Sequence, residues 1–332
     1  MFVIHSYPLA VVFCIITMLC WGSWANTQKL ASKSWGFPLF YWDYTFGVIL
    51  LSLLVGVTMG NIGIEGQGFF ASLKQTSLVA IVLALLGGAV FNIANLLLVA
   101  AIDIAGMAIA FPVGIGIALA LGVTINYIAT PLGNPVLLFF GVALVVGAIV
   151  LDALAYKKIS KGSASSKGIL LSLTAGILMG FFYRFVAASM SEDFAKPVDG
   201  LLTPYAATFI FSIGIFLSNF LFNSFFMYKP VSGSKVTYAN YFKQGTPKLH
   251  LIGILGGAIW ALGFTFNMIA AGKAGYAISY GLGQGATLIA AVWGVFIWKE
   301  FKNAPKGTNR LITLMFTSFI IGLALIIAAR IV

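Results

Sequence analysis

GGAVFNIANLLLVAAIDIAGMAIAFPVGIGIALALGV, residues 87–123, and GGAIWALGFTFNMIAAGKAGYAISYGLGQGATLIAAV, residues 256–292, align without a gap. Gly87, Gly88, Gly106, Gly114 and Gly116 fall on Gly256, Gly257, Gly275, Gly283 and Gly285. Each stretch is a hydrophobic hairpin whose second arm is interrupted by glycines. Any two apolar helices look alike in composition, but five glycines at one fixed offset argue for a true internal repeat. Broken apolar segments at corresponding places in two halves of a chain are the mark of a secondary transporter, and they point at its substrate site.

Composition agrees. The chain is 61% hydrophobic and only 8% charged, whereas a soluble domain carries about 25% charged residues. Apolar runs long enough to cross a bilayer recur from end to end. Ten are expected, at about 9–29, 40–59, 78–100, 105–127, 135–155, 168–190, 205–227, 250–272, 276–298 and 310–330. They are continuous rather than alternating, which excludes a β-barrel. The expected fold is an all-α integral membrane protein of ten transmembrane helices in two inverted five-helix repeats. No positive region precedes the first run, so it reads as a permanent span rather than a signal peptide. Cys14 and Cys20 lie within that span and read as small apolar fillers.

The net charge of +11 could suggest nucleic acid, but its distribution does not. With loops numbered alternately by side, one side holds Lys29, Lys33, Lys157, Lys158, Lys161, Lys167, Lys229, Lys235, Lys243, Lys248, Lys299, Lys302, Lys306 and Arg310. The other holds Lys74, Lys196, Lys273 and Arg330. Fourteen against four is the asymmetry that sets membrane orientation. The basic side is expected in the cytoplasm of a plasma or bacterial inner membrane, with both termini outside. Anionic lipid of the cytoplasmic leaflet is the expected partner of these lysines.

A lysine- and serine-rich break at 156–167 separates residues 1–155 from residues 168–332, as a cytoplasmic linker between two five-span halves. Five is odd, so the second half inserts upside down. A second polar break, 228–248, reads as a flexible loop. Within the hairpins, Pro112 removes a helical hydrogen bond and Gly281 stands opposite it. The segments Gly106–Gly116 and Gly275–Gly285 therefore read as broken helices lining a cavity, with close packing through small residues as the alternative.

The stretches CWGSWANTQK (20–29), YWDY (41–44), GGAVFNIAN (87–95), INY (125–127) and AAGKAGYAISYGLGQGATLIAAVWGVFIWKEF (270–301) resemble the drug/metabolite transporter superfamily. Within it the chain is most similar to the ureide permease and glucose/ribose porter branches. The resemblance implies a ten-span, two-half fold, alternating access and uptake of small polar solutes. Plant ureide permeases carry a long central loop with nucleotide-binding-like residues. The dozen residues here depart from that pattern and leave no nucleotide role implied.

Ionisable groups inside spans are costly and default to functional hypotheses. Asp43, in YWDY, could bind and release a proton if desolvated; the alternative is an interfacial aspartate among belt aromatics Tyr41, Trp42 and Tyr44. Asp152 beside Lys157 and Lys158, and Glu300 beside Lys299, read as interfacial ion pairs. Arg184 could clamp a carbonyl-rich or anionic substrate or could snorkel to headgroups. Asn92 and Asn95 share a helix face. Trp260 and Asn267, then Tyr280 and Gln284, then Trp21 and Trp24, lie on helical stripes of spans eight, nine and one. Amides donate and accept, and aromatic faces stack on planar rings, so these residues could line a cavity for a neutral polar solute. Interhelical hydrogen bonding is the competing use for each amide. Trp293 and Trp298 read as interface anchors.

The expected function is a secondary active transporter of a ureide, nucleobase or monosaccharide, coupled to H+ at Asp43. Sodium is the alternative coupling ion, because broken-helix carbonyls can hold a cation. A drug or metabolite exporter of the same fold is the rival reading. A channel would want charged rings or filter loops. An enzyme would want a metal cluster or a nucleophile elbow, and His5 and His250 alone supply neither. No cofactor is expected, and a homo-oligomer is compatible with the chain.

Overall fold

The computed structural model describes residues 1–31, 35–159 and 165–332. Lys33, Lys161 and the rest of 160–164 within the expected 156–167 linker lie outside the described residues. Ten helical spans are long and apolar enough to cross a membrane. Span one is α1 (Tyr7–Ser23) with α2 (Ala25–Ala31), and span two is α3 (Phe37–Val57). A short surface helix, α4 (Phe69–Gln75), precedes span three, α5 (Leu78–Ala105). Spans four to seven are α6 (Met107–Ala129), α7 (Pro135–Ile159), α8 (Ser166–Ser189) and α9 (Pro204–Tyr228). A second surface helix, α10 (Tyr238–Gln244), precedes span eight, α11 (Pro247–Ala274). Span nine is α12 (Tyr276–Gly283), α13 (Ala286–Val292) and a π-helical turn, Trp293–Ile297; span ten is α14 (Thr308–Ala328).

Local chemistry sets the starts. Prolines occupy the first turn of α1, α3, α9 and α11, where the missing N–H would have no helical partner. Ser77 and Thr246 cap α5 and α11 through their hydroxyls. The 228–248 segment is more ordered than expected. Thr237 and Asn240 form a reciprocal capping box that nucleates α10.

The packing repeats between halves. α5 packs on α8 and α9, as α11 packs on span one and α3; α6 packs on α8, as span nine packs on α1. α3 with α9, α6 with α12, and α7 with α14 are self-paired. Exchanging each span for the one five later leaves this list unchanged.

The two tightest crossings obey the same exchange. A methyl at Gly47 would collide with the Ile254 carbonyl, and one at Gly257 with the Tyr44 carbonyl. One at Gly214 would collide with the Leu85 carbonyl, and one at Gly88 with the Phe211 carbonyl. Gly106 and Gly275 also match: both join two spans with left-handed φ, +77° and +84°, a conformation open to glycine. This is the pattern a two-fold repeat requires, and it is consistent with inverted halves.

The expectation of two broken second arms holds only for one. α6 runs continuously through Pro112, which lies inside the helix and forfeits one hydrogen bond there without ending it. Gly114 is a packing glycine, where a methyl would stand 2.6 Å from Leu98, and Gly116 has ordinary room. Span nine does break, at Gln284–Gly285 between α12 and α13. Gly281 and Gly283 precede that break and pack against Val123 and the Trp21 ring.

Candidate functional site

The two interruptions meet. Span one breaks at Trp24, between α1 and α2. Two residues earlier, Gly22 lies against Ala286 and Ile289, just past the break in span nine. Around this contact the aromatic side chains of four spans gather. Trp21 stacks on Trp260 at 5.8 Å and donates its indole N–H to the Trp260 carbonyl at 3.2 Å. Trp24 lies 4.9 Å from Tyr44, which stacks on Tyr41 at 5.1 Å and lies 6.4 Å from Trp260. Phe91 and Phe264 close the cluster behind Trp260.

Two polar groups belong to this cluster. The Asn95 amide donates to the Tyr41 hydroxyl at 3.2 Å. The Tyr44 hydroxyl is fully buried and has no hydrogen-bond partner among the described residues. A buried hydroxyl without a partner costs about 1–3 kcal/mol, so its retention calls for a use. Gln284, at the break, is 8% exposed. No ionised side chain enters the ring contacts, and a site so lined suits an uncharged ligand with a planar face and hydrogen-bonding edges. The cluster is closed: Tyr41 and Tyr44 are fully buried and Trp260 is 5% exposed. Two surface concavities, of 680 and 630 Å³, lie elsewhere, at the basic ends of spans five, nine and ten.

Of the expected binding residues, Trp21, Trp24, Asn95 and Trp260 come together here; Gln284 lies at the break in span nine. The others do not. Asn92 turns away from Asn95 and donates to the Ile215 carbonyl at 3.2 Å and the Ser218 hydroxyl at 2.8 Å, tying α5 to α9. Asn267 is saturated: it accepts from the Tyr183 hydroxyl at 2.7 Å and donates to the Ser279 carbonyl at 2.8 Å. Tyr280 lies over Gly122, with its hydroxyl at 3.2 Å from the Ala118 and Met179 carbonyls. These three hold helices together. Tyr41 and Tyr44 are members that the sequence reading assigned to an interfacial belt. Their i, i+3 spacing was the available signal.

Asp43 is not interfacial either. It is 1% exposed and lies on α3 at the basic end, on the opposite face from Tyr41 and Tyr44. Its carboxylate accepts from the Trp35 indole at 3.1 Å and the Tyr241 hydroxyl at 2.5 Å, and pairs with His250 Nδ1 at 2.8 Å. Tyr241 belongs to α10, so the surface helix is pinned to a buried carboxylate. A second polar cluster joins spans one, five and nine at the same end. Glu300 pairs with Lys29 at 2.7 Å and accepts from the Tyr156 hydroxyl at 2.6 Å. Burial alone would raise the Glu300 carboxyl, but hydrogen bonds from Lys29 and Tyr156 and the lysine charge outweigh it and hold it below the usual range.

The expected partners, Lys299 for Glu300 and Lys157 or Lys158 for Asp152, are not used among the described residues. Trp293 and Trp298 are not membrane anchors. Their indoles donate to Ser23 at 2.9 Å and Asn26 at 2.7 Å, binding span nine to span one. Arg184 is half-buried in α8, well away from Asp43, and makes no hydrogen bond or ion pair among the described residues.

Ten apolar spans packed around a closed, uncharged aromatic cluster define a multi-pass integral membrane protein with the design of a transporter. The family model described as ureide permease matches residues 40–167 and 158–329. The chain belongs to the ureide permease family, whose members are transporters rather than enzymes. It is 22% identical to ureide permease 1 of Arabidopsis thaliana, over 99% of both chains. It is 22% identical to ureide permease 4 of the same plant over 99% of both chains, and 21% identical to the probable ureide permease A3 of Vigna unguiculata over 92% of this chain and 99% of that one. A crystal structure of a protein 16% identical in sequence shares the fold, with a TM-score of 0.60 over 98% of this chain and 99% of the other.

Proposed function

We propose that this protein is a secondary active transporter that takes up a small neutral polar solute of the ureide class by alternating access. The aromatic cluster is its binding site. One observation carries the reading: the Tyr44 hydroxyl is buried without a partner among the described residues, on a ring packed among Trp24, Tyr41 and Trp260, and Asn95 reaches the neighbouring Tyr41 hydroxyl. A ureide offers planar amide groups for those faces, and donors and acceptors for Tyr44 and Asn95. Nucleobases share this chemistry; monosaccharides share the hydrogen bonding. The relatives' names favour ureides. A cationic-drug exporter of the same fold would want a carboxylate in the cluster, and Asp43 points elsewhere.

Coupling is assigned to protons, at Asp43 with His250. A buried carboxylate and a histidine whose side chain is 28% exposed can share one proton between the interior and the basic side. That side is the cytoplasm by the charge asymmetry. Protonation of Asp43 would loosen Tyr241 and with it α10. The Lys29–Glu300–Tyr156 cluster is a second latch at that end. Rocking of the two halves would part both latches and open the aromatic cluster.

Uptake of labelled allantoin, uracil, xylose and glucose into proteoliposomes under an imposed pH gradient tests this. Saturable allantoin uptake should collapse without the gradient and in Asp43→Asn. Tyr44→Phe should raise KM at least several-fold while leaving thermal stability equal or higher, because it deletes an unsatisfied group. Uptake that follows a sodium gradient and ignores pH would sink the proton assignment. Unaltered transport in Tyr44→Phe would remove the aromatic cluster as the site.

A further inference from the structure

We propose that the groove between α7 and α14 at the basic end is a defined binding site for one anionic phospholipid. The two helices pack together and diverge around a concavity of 680 Å³. Lys157 and Lys158, from the last turn of α7, and Arg310, from the first turn of α14, line its polar end. Leu154, Leu311 and Leu314 line the rest. Leu154 and Leu314 are 44% and 45% exposed on the bilayer-facing side of membrane spans.

The three cations are unanswered. Among the described residues none of them pairs with a carboxylate, and the nearby Glu300 is engaged by Lys29 and Tyr156. Lys158 reaches only the Lys306 carbonyl, at 3.5 Å. Gly307 shapes the polar end. Its φ of +85° turns the chain into α14, and a methyl there would stand 3.2 Å from the Lys158 ammonium. Three like charges held close are stabilised by an anion that bridges them, and a phosphodiester has the charge and the acceptor oxygens to do so.

The leucine wall selects the source of that phosphate. A soluble anion has no use for exposed leucines at membrane depth, whereas a glycerolipid covers them with its acyl chains. Basic pockets between spans on the cytoplasmic side suit anionic headgroups. A second copy of this chain is the poorer occupant, since an isologous contact joins the same patch of both copies and would bring two sets of the same cations together. The inference stands independently of the transported solute.

The test uses the full chain, delipidated in detergent, with bound lipid counted by native mass spectrometry. Dioleoyl phosphatidylglycerol should be retained one per chain, at least tenfold more tightly than dioleoyl phosphatidylcholine. The triple variant Lys157→Gln, Lys158→Gln, Arg310→Gln should lose that preference. The variant Lys235→Gln, Lys243→Gln, Lys248→Gln, equally decharged but outside the groove, should keep it. Equal retention of the two lipids by the wild type overturns the proposal, as does equal loss in both triple variants. Displacement of the lipid by millimolar inorganic phosphate would make this a soluble-anion site, and a dimer abolished by the groove variant would make it an interface; either overturns it. If the triple variant fails to fold, Arg310→Ala and the wild-type comparison decide.

Discussion

The glycine crossings allow a prediction whose sign changes from site to site. Consider Gly257→Ala and its repeat mate Gly88→Ala. Alanine in a helix interior is favoured over glycine by about 1 kcal/mol. At both positions, however, the new methyl would meet a carbonyl oxygen of the facing helix, well inside the roughly 3.3 Å at which carbon and carbonyl oxygen normally come to rest. The helices must part by on the order of 1 Å, and overpacking of that kind costs about 1–3 kcal/mol. The net effect is a loss of up to about 2 kcal/mol, similar in the two variants because the contacts are equivalent. Gly147→Ala is the control. Nothing lies within 4 Å of its added methyl, so it should gain about 0.5–1 kcal/mol. Thermal unfolding in detergent, followed by circular dichroism, reads all three. Gly257→Ala should also weaken solute uptake, because the carbonyl it displaces is that of Tyr44. Melting of Gly257→Ala and Gly88→Ala at or above the wild type would refute the close crossings and the two-fold packing built on them.

Two further outcomes are expected. Asn267→Ala should cost about 2–4 kcal/mol by orphaning the buried Tyr183 hydroxyl and losing a bond to the Ser279 carbonyl, while the folded fraction keeps the wild-type KM; a raised KM at unchanged stability would return Asn267 to the binding site. Glu300 has a lowered folded-state pKa, so its stabilisation is present above the unfolded glutamate value of about 4.3 and is lost as pH falls through the lower folded value. Glu300→Gln should therefore be less stable than wild type at pH 7, by under about 1 kcal/mol given its partial exposure, and the two melting curves should converge as pH falls through the lowered folded-state value.

Much of the fold was legible because the membrane imposes simple rules. Length and continuity of apolar runs are one-dimensional signals, and the paired Gly106 and Gly275 proved to be matched turns. The site was only partly legible. Trp21, Trp24, Asn95 and Trp260, which the structure gathers in one cluster, stand out by helical spacing, but spacing could not separate them from Asn92, Asn267 and Tyr280. Those residues differ only in which neighbour they face, and that depends on how helices are rotated in the bundle. For Asp43 the sequence left a desolvated and an interfacial reading open, and spacing could not choose between them. YWDY looks interfacial in sequence, yet α10 folds over it from two hundred residues away and supplies Tyr241, with His250 just beyond. The break expected at Pro112 is not there: α6 holds the proline inside the helix, with one hydrogen bond forfeited and the turns on either side formed.

The π-helical turn closing span nine has a consequence for how that end of the bundle is latched. The gapless match between the two glycine-rich segments ends at Val292, and the turn starts at Trp293. There the Trp298 amide bonds to the Trp293 carbonyl at 2.8 Å, a ring that encloses one residue more than an α-turn. One extra residue turns everything after it by about 100° around the axis. That rotation carries Trp298 and Glu300 into contact with Asn26, Lys29 and Tyr156. Deleting one residue between 293 and 297 should swing both side chains out of this register and leave the end unlatched.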